Sequence, residues 1–214
     1  MRSIAKLMKD WQFTGPNGVP TAVELPHTWN ARDGQDGGND YWRGCCTYCT
    51  RFAAPVYDPA QQQVWLQFEG VNASAAVLLN GQQLCTHDGG YSTFRAEVTE
   101  LLQAENQLTV RVDNSVNDRV YPQKADFTFY GGIYRDVSLL VVNKNHIALG
   151  HFGDTGVKIT PTLKEGSTDI QVETLVEGSG TVTVELLDAE GRTAAKGEGE
   201  NTFLHLDAPH LWLR

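Results

Sequence analysis

The stretch QLTVRV, residues 107–112, decides the fold class of this chain, because its apolar and polar residues alternate strictly. Successive side chains of a β-strand point to opposite faces, so such a segment presents one apolar and one polar face. The same period of two recurs in VWLQF (64–68), AAVLLN (75–80), TDIQVETLV (168–176) and TVTVELL (181–187). This repetition predicts an all-β chain.

Turn-forming residues separate these segments. They tolerate positive φ angles or bond their own backbone, and they are Asn80-Gly81, Asp88-Gly89-Gly90, Glu105-Asn106, Glu165-Gly166 and Glu190-Gly191. Strands spaced by such turns predict β-sandwiches instead of βαβ units. The one helical segment that we predict is VTELLQ (98–103), with Thr99 as the cap of about one turn.

Composition changes near residues 143–146, and this change predicts a domain boundary. Before it lie nearly all the aromatic residues and two long irregular loops, 30–44 and 114–132. After it come short strands rich in threonine, valine and glutamate, joined by glycine-containing turns. We therefore predict a larger sandwich over residues 1–144 and a smaller one over residues 145–214.

The charge balance argues against a nucleic-acid partner. The chain of 214 residues has 17 Lys and Arg against 26 Asp and Glu, a net charge of -9 that repels phosphate backbones. No apolar run approaches the about 20 residues that a membrane helix needs, so no membrane partner is expected. Residues 1–13 lack the features of a signal peptide, although removal of an upstream leader stays open.

Cysteine spacing predicts reduced thiols. Cys45, Cys46 and Cys49 lie close together and Cys85 lies apart, which is neither a disulfide framework nor the paired spacing of a zinc site. Adjacent Cys45 and Cys46 would point to opposite faces of a strand. We expect no metal site and a cytoplasmic location, with secretion or a periplasmic location as the alternative.

Both long loops are rich in the side chains that bind sugars. Aromatic rings pack on the apolar faces of a sugar ring, and carboxylates or amides bond its hydroxyl groups. Long loops in compact domains are commonly functional. The alternative is that Trp42, Phe127, Phe129 and Tyr130 merely close the ends of the sandwich.

The order of several motifs resembles the amino-terminal region of glycoside hydrolase family 2. These are LPHTWN (25–30), DYWRGCCTYCTRF (40–52), LQFEGVNASAAVLLNGQQLCTHDGGYSTFRAEVT (66–99), NQLTVRVDN (106–114), DFTFYGGIYRDV (126–137) and DAPHLW (207–212). The resemblance implies a jelly-roll β-sandwich, similar to galactose-binding domains, followed by an immunoglobulin-like sandwich. It also implies a retaining β-glycosidase, with β-galactosidase as the first expectation and β-glucuronidase or β-mannosidase as alternatives.

The resemblance assigns the chemistry to a (β/α)8 barrel that this sequence does not contain. We therefore name no catalytic residue here and expect this part of the enzyme to be inactive alone. A free-standing carbohydrate-binding or adhesion module is the second hypothesis. The other expected partners are a carbohydrate substrate, the barrel of the same chain and a second copy in a homo-oligomer.

Three residues are candidates for substrate contact. By its spacing from Gly132 and Arg135, Asp126 matches the family's aspartate that reaches the terminal sugar, and in some relatives this residue also ligates a monovalent cation such as sodium. Apart from that possible sodium ion, no cofactor is expected. Asn39 and Asp40 are alternative second contacts, and for each of the three a role confined to its own loop stays open.

Arg135, His27 and His87 are predicted to be structural. Arg135 would share an apolar face of the strand IYRDVSLLVV, so it needs a partner, with Glu69 first and Asp113 next. Each histidine would be hydrogen-bonded within a loop. From about residue 145 the chain offers about 70 residues, fewer than the about 100 of an immunoglobulin-like sandwich, so we expect an incomplete domain of five or six strands.

Overall fold

The computed structural model of the protein describes residues 2–31, 41–120, 128–150 and 153–211. Within those ranges every regular element except one short 3₁₀ helix is a β-strand, which confirms the all-β prediction. Contacts divide the chain into two compact units, residues 1–143 and 144–214. The boundary predicted from composition, at about residue 144, lies beside this division.

The first unit contains thirteen strands in its described residues. They are Ser3–Lys6 (β1), Trp11–Thr14 (β2), Pro20–Val23 (β3), His27–Thr28 (β4), Cys45–Ala53 (β5), Gln62–Phe68 (β6), Val71–Asn72 (β7), Ser74–Leu79 (β8), Gln82–Asp88 (β9), Phe94–Glu97 (β10), Glu105–Asp113 (β11), Gly132–Ile133 (β12) and Val137–Asn143 (β13). Antiparallel pairing joins them into one sheet of order β1-β13-β6-β10 and another of order β3-β2-β5-β11-β8-β9. A third, smaller sheet has the order β4-β12-β7.

The two larger sheets enclose one hydrophobic core. Strand β11 contributes Leu108, Val110 and Val112 to it, and all three are fully buried, as the alternation of QLTVRV predicts. Strand β6 contributes Val64 and Leu66 from the other sheet. Because β11 pairs with β5 on one side and β8 on the other, its apolar face is held at the centre of its sheet.

The hairpin between β8 and β9 has the predicted turn. Leu79 pairs with Gln82, so Asn80 and Gly81 alone make the connection. Their φ angles are +52° and +83°, and two positive angles are what a two-residue turn of this kind requires.

The predicted cap of the helical segment is wrong. A 3₁₀ helix spans only Thr99–Leu101, and no side chain caps it. The Thr99 hydroxyl accepts a hydrogen bond from the Val64 backbone N–H (3.0 Å) and donates one to Glu97 Oε1 (2.9 Å). Because the Thr99 hydroxyl bonds residues of neighbouring strands, it stabilises the sheet and does not cap the helix.

The second unit contains five strands of five or more residues and two of two residues in its described part. They are His146–Ile147 (β14), Val157–Lys164 (β15), Ser167–Thr174 (β16), Val176–Glu177 (β17), Thr183–Leu187 (β18), Thr193–Glu198 (β19) and Asn201–Asp207 (β20). They form a sheet of order β15-β16-β20 and two pairs, β14-β17 and β18-β19.

A histidine on β20 should make the stability of this unit depend on pH. His205 Nδ1 lies 2.6 Å from Asp169 Oδ1, its Nε2 lies 3.2 Å from Asp207 Oδ1, and these hydrogen bonds raise its pKa. The pKa of a histidine in the unfolded chain is about 6.5, and the pKa of His205 in the folded state is higher. The protonated histidine therefore stabilises the fold at pH values below about 6.5, and this stabilisation is lost as pH rises through the folded-state pKa. We expect the melting temperature to fall as pH rises from the unfolded pKa of about 6.5 through the raised folded-state pKa, and His205→Ala to flatten that dependence.

The exposed His210 supplies the control for this measurement. The melting temperature of His210→Ala should depend on pH with the same slope as that of the wild type. An equal slope in the wild type and His205→Ala would show that the three-residue cluster does not govern this pH dependence.

Candidate functional site

Two buried asparagines join two loops of the first unit. Asn30 and Asn114 are both fully buried, and Asn114 Nδ2 donates to Asn30 Oδ1 at 3.1 Å. Asn30 follows β4, and Asn114 follows β11, so each amide sits where a strand ends. We call these two residues the asparagine junction.

The junction binds backbone groups of both loops that the sequence singled out. Asn114 Oδ1 accepts from the Gly44 N–H (2.9 Å), and Asn114 Nδ2 also donates to the Phe129 carbonyl (3.1 Å). Asn30 Oδ1 accepts from the Gly131 N–H (2.7 Å). Buried polar groups are stable only when paired, so these bonds fix the two loops against each other.

Contacts beyond the junction reinforce this arrangement. The Phe129 N–H donates to Tyr41 Oη (3.2 Å), and Arg43 Nε donates to the Asn114 carbonyl (2.7 Å). The Arg43 guanidinium also lies over the Phe129 ring, 5.3 Å from its centre. Tyr41 of the 30–44 loop and Phe129 of the 114–132 loop are thus in direct contact.

Gly131 allows an aromatic ring to approach the backbone behind this site. A Cβ atom at Gly131 would overlap the indole of Trp29. Trp29 packs against Phe13 with ring centres 6.0 Å apart and meets Trp42 edge-on at the same separation. Gly131 therefore has a packing role, because any larger residue would displace the Trp29 ring.

A cavity of about 370 Å³ opens beside the junction. We call it the tyrosine pocket, because three of its described lining residues are tyrosines. It is lined by Thr28, Ala31, Asn72, Tyr91, Thr128, Tyr130 and Tyr134. Ala31 belongs to the 30–44 loop, and Thr128 and Tyr130 belong to the 114–132 loop, so both candidate loops contribute to the lining.

The candidate residues Asp126, Asn39 and Asp40 lie outside the described residues. Their substrate contacts, and the sodium site suggested for Asp126, stay predictions. The structure does bring together described residues close to them in sequence, which are Ala31, Tyr41 and Thr128.

The predicted partner of Arg135 is wrong. Arg135 is exposed, and the ion pairs among the described residues include none between it and Glu69 or Asp113. Its guanidinium lies 5.7 Å from the centre of the Tyr134 ring and donates a long hydrogen bond (3.5 Å) to the Tyr91 carbonyl. The strand is interrupted between β12 and β13, which resets the alternation and turns Arg135 outward.

The two histidines are hydrogen-bonded, as predicted. His27 Nδ1 lies 2.7 Å from Tyr48 Oη, and burial lowers the pKa of His27. His87 Nε2 lies 3.0 Å from Ser92 Oγ and 3.1 Å from the Gly89 carbonyl, and burial lowers its pKa too. The predicted loop positions are wrong, because His27 lies in strand β4 and His87 lies in strand β9. Both rings therefore serve the local structure.

A polar cluster holds the beginning of the 114–132 loop. Asp88 accepts hydrogen bonds from Ser74 Oγ (2.6 Å), Asn117 Nδ2 (2.9 Å) and Arg119 Nε (2.7 Å). These partners, Arg119 first, lower the pKa of Asp88. The cluster ties the loop to β8 and β9, while the asparagine junction ties its other end.

The residues that the structure describes offer neither a metal site nor a membrane-spanning helix. No group of three or more His, Cys, Asp or Glu side chains there could hold a metal ion. Cys46 is buried in β5 while Cys45 is exposed, and all four thiols are free. Among the described residues no helix has the length and apolar character to span a membrane.

Comparisons with known proteins agree with this architecture. A family model described as "Glycosyl hydrolase 2 galactose-binding domain-like" matches residues 38–162. A beta-glucuronidase of Bacteroides fragilis is 32% identical over 96% of this chain and 31% of that protein. A beta-galactosidase of Thermoanaerobacter pseudethanolicus is 30% identical over 61% of this chain and 18% of that protein.

A solved structure extends the comparison. The crystal structure of an FMN-binding beta-glucuronidase from Facaelibacterium prausnitzii L2-6 superposes with a TM-score of 0.91 at 34% identity. It covers 99% of this chain, whereas this chain covers 35% of that structure. The chain thus spans about a third or less of the length of these relatives. It belongs to the glycosyl hydrolase 2 family, as a galactose-binding-like β-sandwich with further strands following it.

Proposed function

We propose that the protein of which this chain forms part is a retaining β-glycosidase that removes a terminal, non-reducing β-linked sugar. The observation that carries this proposal is the family match over residues 38–162. In such enzymes one carboxylic acid protonates the leaving group and a carboxylate roughly 5 Å away attacks the sugar. We assign both to a (β/α)8 barrel elsewhere in the protein.

This chain would complete the substrate pocket. The asparagine junction fixes the ends of the two loops that carry Asp126, Asn39 and Asp40, which supports a role for these residues in binding sugar hydroxyls. A carboxylate accepts two hydroxyl donors at once and so can orient a sugar. The monovalent cation suggested for Asp126 is a further part of this proposal.

For the sugar itself we propose galactose, with glucuronic acid or mannose as the alternatives. A β-galactoside is the expectation from the motifs, and a relative named beta-galactosidase supports it. A β-glucuronide is the second candidate, because the relative that matches 96% of this chain is named a beta-glucuronidase. The assembly of the whole protein as a homo-oligomer is also a proposal, which sedimentation would test.

Hydrolysis of chromogenic substrates tests the proposal. We expect the whole protein to release nitrophenol from a nitrophenyl β-galactoside, a nitrophenyl β-glucuronide or both. The 214-residue chain alone should release none above a mock preparation, because the two catalytic carboxyl groups would lie elsewhere. A whole protein inactive on every β-glycoside, or a chain active alone, would contradict the proposal.

A further inference from the structure

We infer that Asn17 is a site of spontaneous covalent modification, at which the side-chain amide is converted to a carboxylate. The chain has two Asn-Gly dipeptides, Asn17-Gly18 and Asn80-Gly81. A glycine after asparagine leaves the next backbone nitrogen sterically open, because glycine has no Cβ atom. Both dipeptides lie in the connections of β-hairpins, β2–β3 and β8–β9. Their hydrogen bonds therefore decide which of the two asparagines reacts.

The reaction joins the backbone nitrogen of Gly18 to the side chain of Asn17. After hydroxide removes its proton, this nitrogen attacks Cγ, and the Cγ–Nδ2 bond breaks as ammonia leaves with a proton from water. Water then opens the cyclic succinimide at either of its carbonyl carbons. The products are aspartate, or isoaspartate in which the backbone runs through the former side chain. Overall, water is consumed and ammonia is released, and nothing is oxidised or reduced.

The hairpin tip that carries Asn17 is open to this attack. Residues 16–20 are exposed, and a Cβ atom added at Gly18 would meet nothing within 4 Å. Asn17 Oδ1 accepts a hydrogen bond from the Val19 N–H (3.1 Å), and a donor there stabilises the negative charge that develops on this oxygen. The bond that has to open first is an exposed backbone bond, from the Gly18 N–H to the Gly15 carbonyl (3.0 Å).

The leaving group of Asn17 is also unrestrained. Among the residues that the structure describes, no group accepts a hydrogen bond from Asn17 Nδ2. The tip lies outside the hydrophobic core of the first unit, so neither product displaces a core residue. Exposed loop tips are the places where a folded chain tolerates covalent change. The sandwich should therefore keep its fold after the reaction and gain one negative charge.

Asn80 is protected, although its dipeptide is the same. Its Nδ2 donates to the Leu101 carbonyl (3.1 Å) and to Asn106 Oδ1 (3.0 Å), and its Oδ1 accepts from the Gln107 N–H (2.9 Å). Attack by the Gly81 nitrogen requires the amide to turn away from these partners, and each hydrogen bond opposes that movement. A carboxylate at this position would also place an oxygen against two acceptor oxygens. The fold thus keeps this amide intact.

Peptide mapping of the 214-residue chain by mass spectrometry tests the inference. During incubation of the native chain in mildly alkaline buffer, the amide of Asn17 should be converted about ten to a hundredfold faster than that of Asn80, because the additional hydrogen bonds of Asn80 have to open first. In guanidinium chloride the two rates should become similar, since both hairpins are then unfolded. Equal rates in the native chain, or conversion of Asn17 in guanidinium chloride alone, would overturn the inference.

A variant beside Asn80 tests the reason for its protection. Asn106→Ala removes one acceptor of Asn80 Nδ2 and should speed the conversion of Asn80 in the native chain about tenfold. The rate at Asn17 is the internal control and should stay at its wild-type value. If Asn106→Ala merely unfolded the chain, both rates would match those in guanidinium chloride. An unchanged rate at Asn80 in the folded variant would show that hydrogen bonding does not distinguish the two sites. None of these measurements depends on enzyme activity.

Discussion

Replacing Asn114 by alanine is expected to lower the melting temperature of the first unit by about 10 °C. The change removes the hydrogen bonds that the buried Asn114 side chain makes to the Gly44 N–H, the Phe129 carbonyl and Asn30. The loss of a buried hydrogen bond costs about 1 to 3 kcal/mol, so a total loss of about 3 kcal/mol is expected. Thermal unfolding followed by circular dichroism measures it.

An exposed asparagine in the same unit provides the matched control. Asn143 ends β13 and is exposed, so Asn143→Ala should change the free energy of unfolding by less than about 0.5 kcal/mol. Equal melting temperatures for Asn114→Ala and Asn143→Ala would show that the junction contributes little to stability. Comparing the two variants separates the stability lost with a buried, hydrogen-bonded amide from the effect of removing any amide group.

The second large effect is expected in catalysis. Asp126→Ala in the whole protein should lower kcat/KM for its glycoside by about tenfold to a hundredfold. A charged group that bonds sugar hydroxyls contributes about 1.5 to 3 kcal/mol, and this contribution acts on the substrate instead of on the fold. The melting temperature should therefore stay within about 2 °C of the wild-type value.

Asp118 lies in the same loop and is exposed, so Asp118→Ala is the matched control. It removes the same charge and should keep the wild-type kcat/KM. If Asp126→Ala instead melted far below the wild type with unchanged kinetics, Asp126 would be a structural residue of its loop. Equal losses of kcat/KM in the two variants would point to the net charge of the loop.

Strands and simple turns were predictable because their signals are local. Each residue of QLTVRV takes the face that its position in the alternation assigns, and the Asn80-Gly81 turn depends only on backbone angles. Arg135 was misplaced for the same reason. Its assignment assumed unbroken alternation, and the gap between β12 and β13 cannot be seen in the pattern IYRDVSLLVV.

The asparagine junction was missed because its signal is not local. Asn30 and Asn114 are 84 residues apart in sequence, and neither lies in a pattern that predicts burial. The available sign was that the motifs LPHTWN and NQLTVRVDN both end in an asparagine, which lies one or two residues after a strand. Two amides that follow different strands can meet only when the sheets that carry those strands are packed together. The sequence of a single segment does not contain this information.

The junction also bears on how this fold can tolerate change. The chain on either side of residues 32–40 is fixed by Asn30, whose Nδ2 donates to the Trp42 carbonyl at 2.9 Å. When a scaffold already holds both ends of a segment together, lengthening it costs little, since each doubling of a loop adds only about 0.6 kcal/mol of closure entropy. Insertions between Ala31 and Tyr41 should thus be accepted without loss of the sandwich, and pocket shape could diversify there while the folding core stays the same.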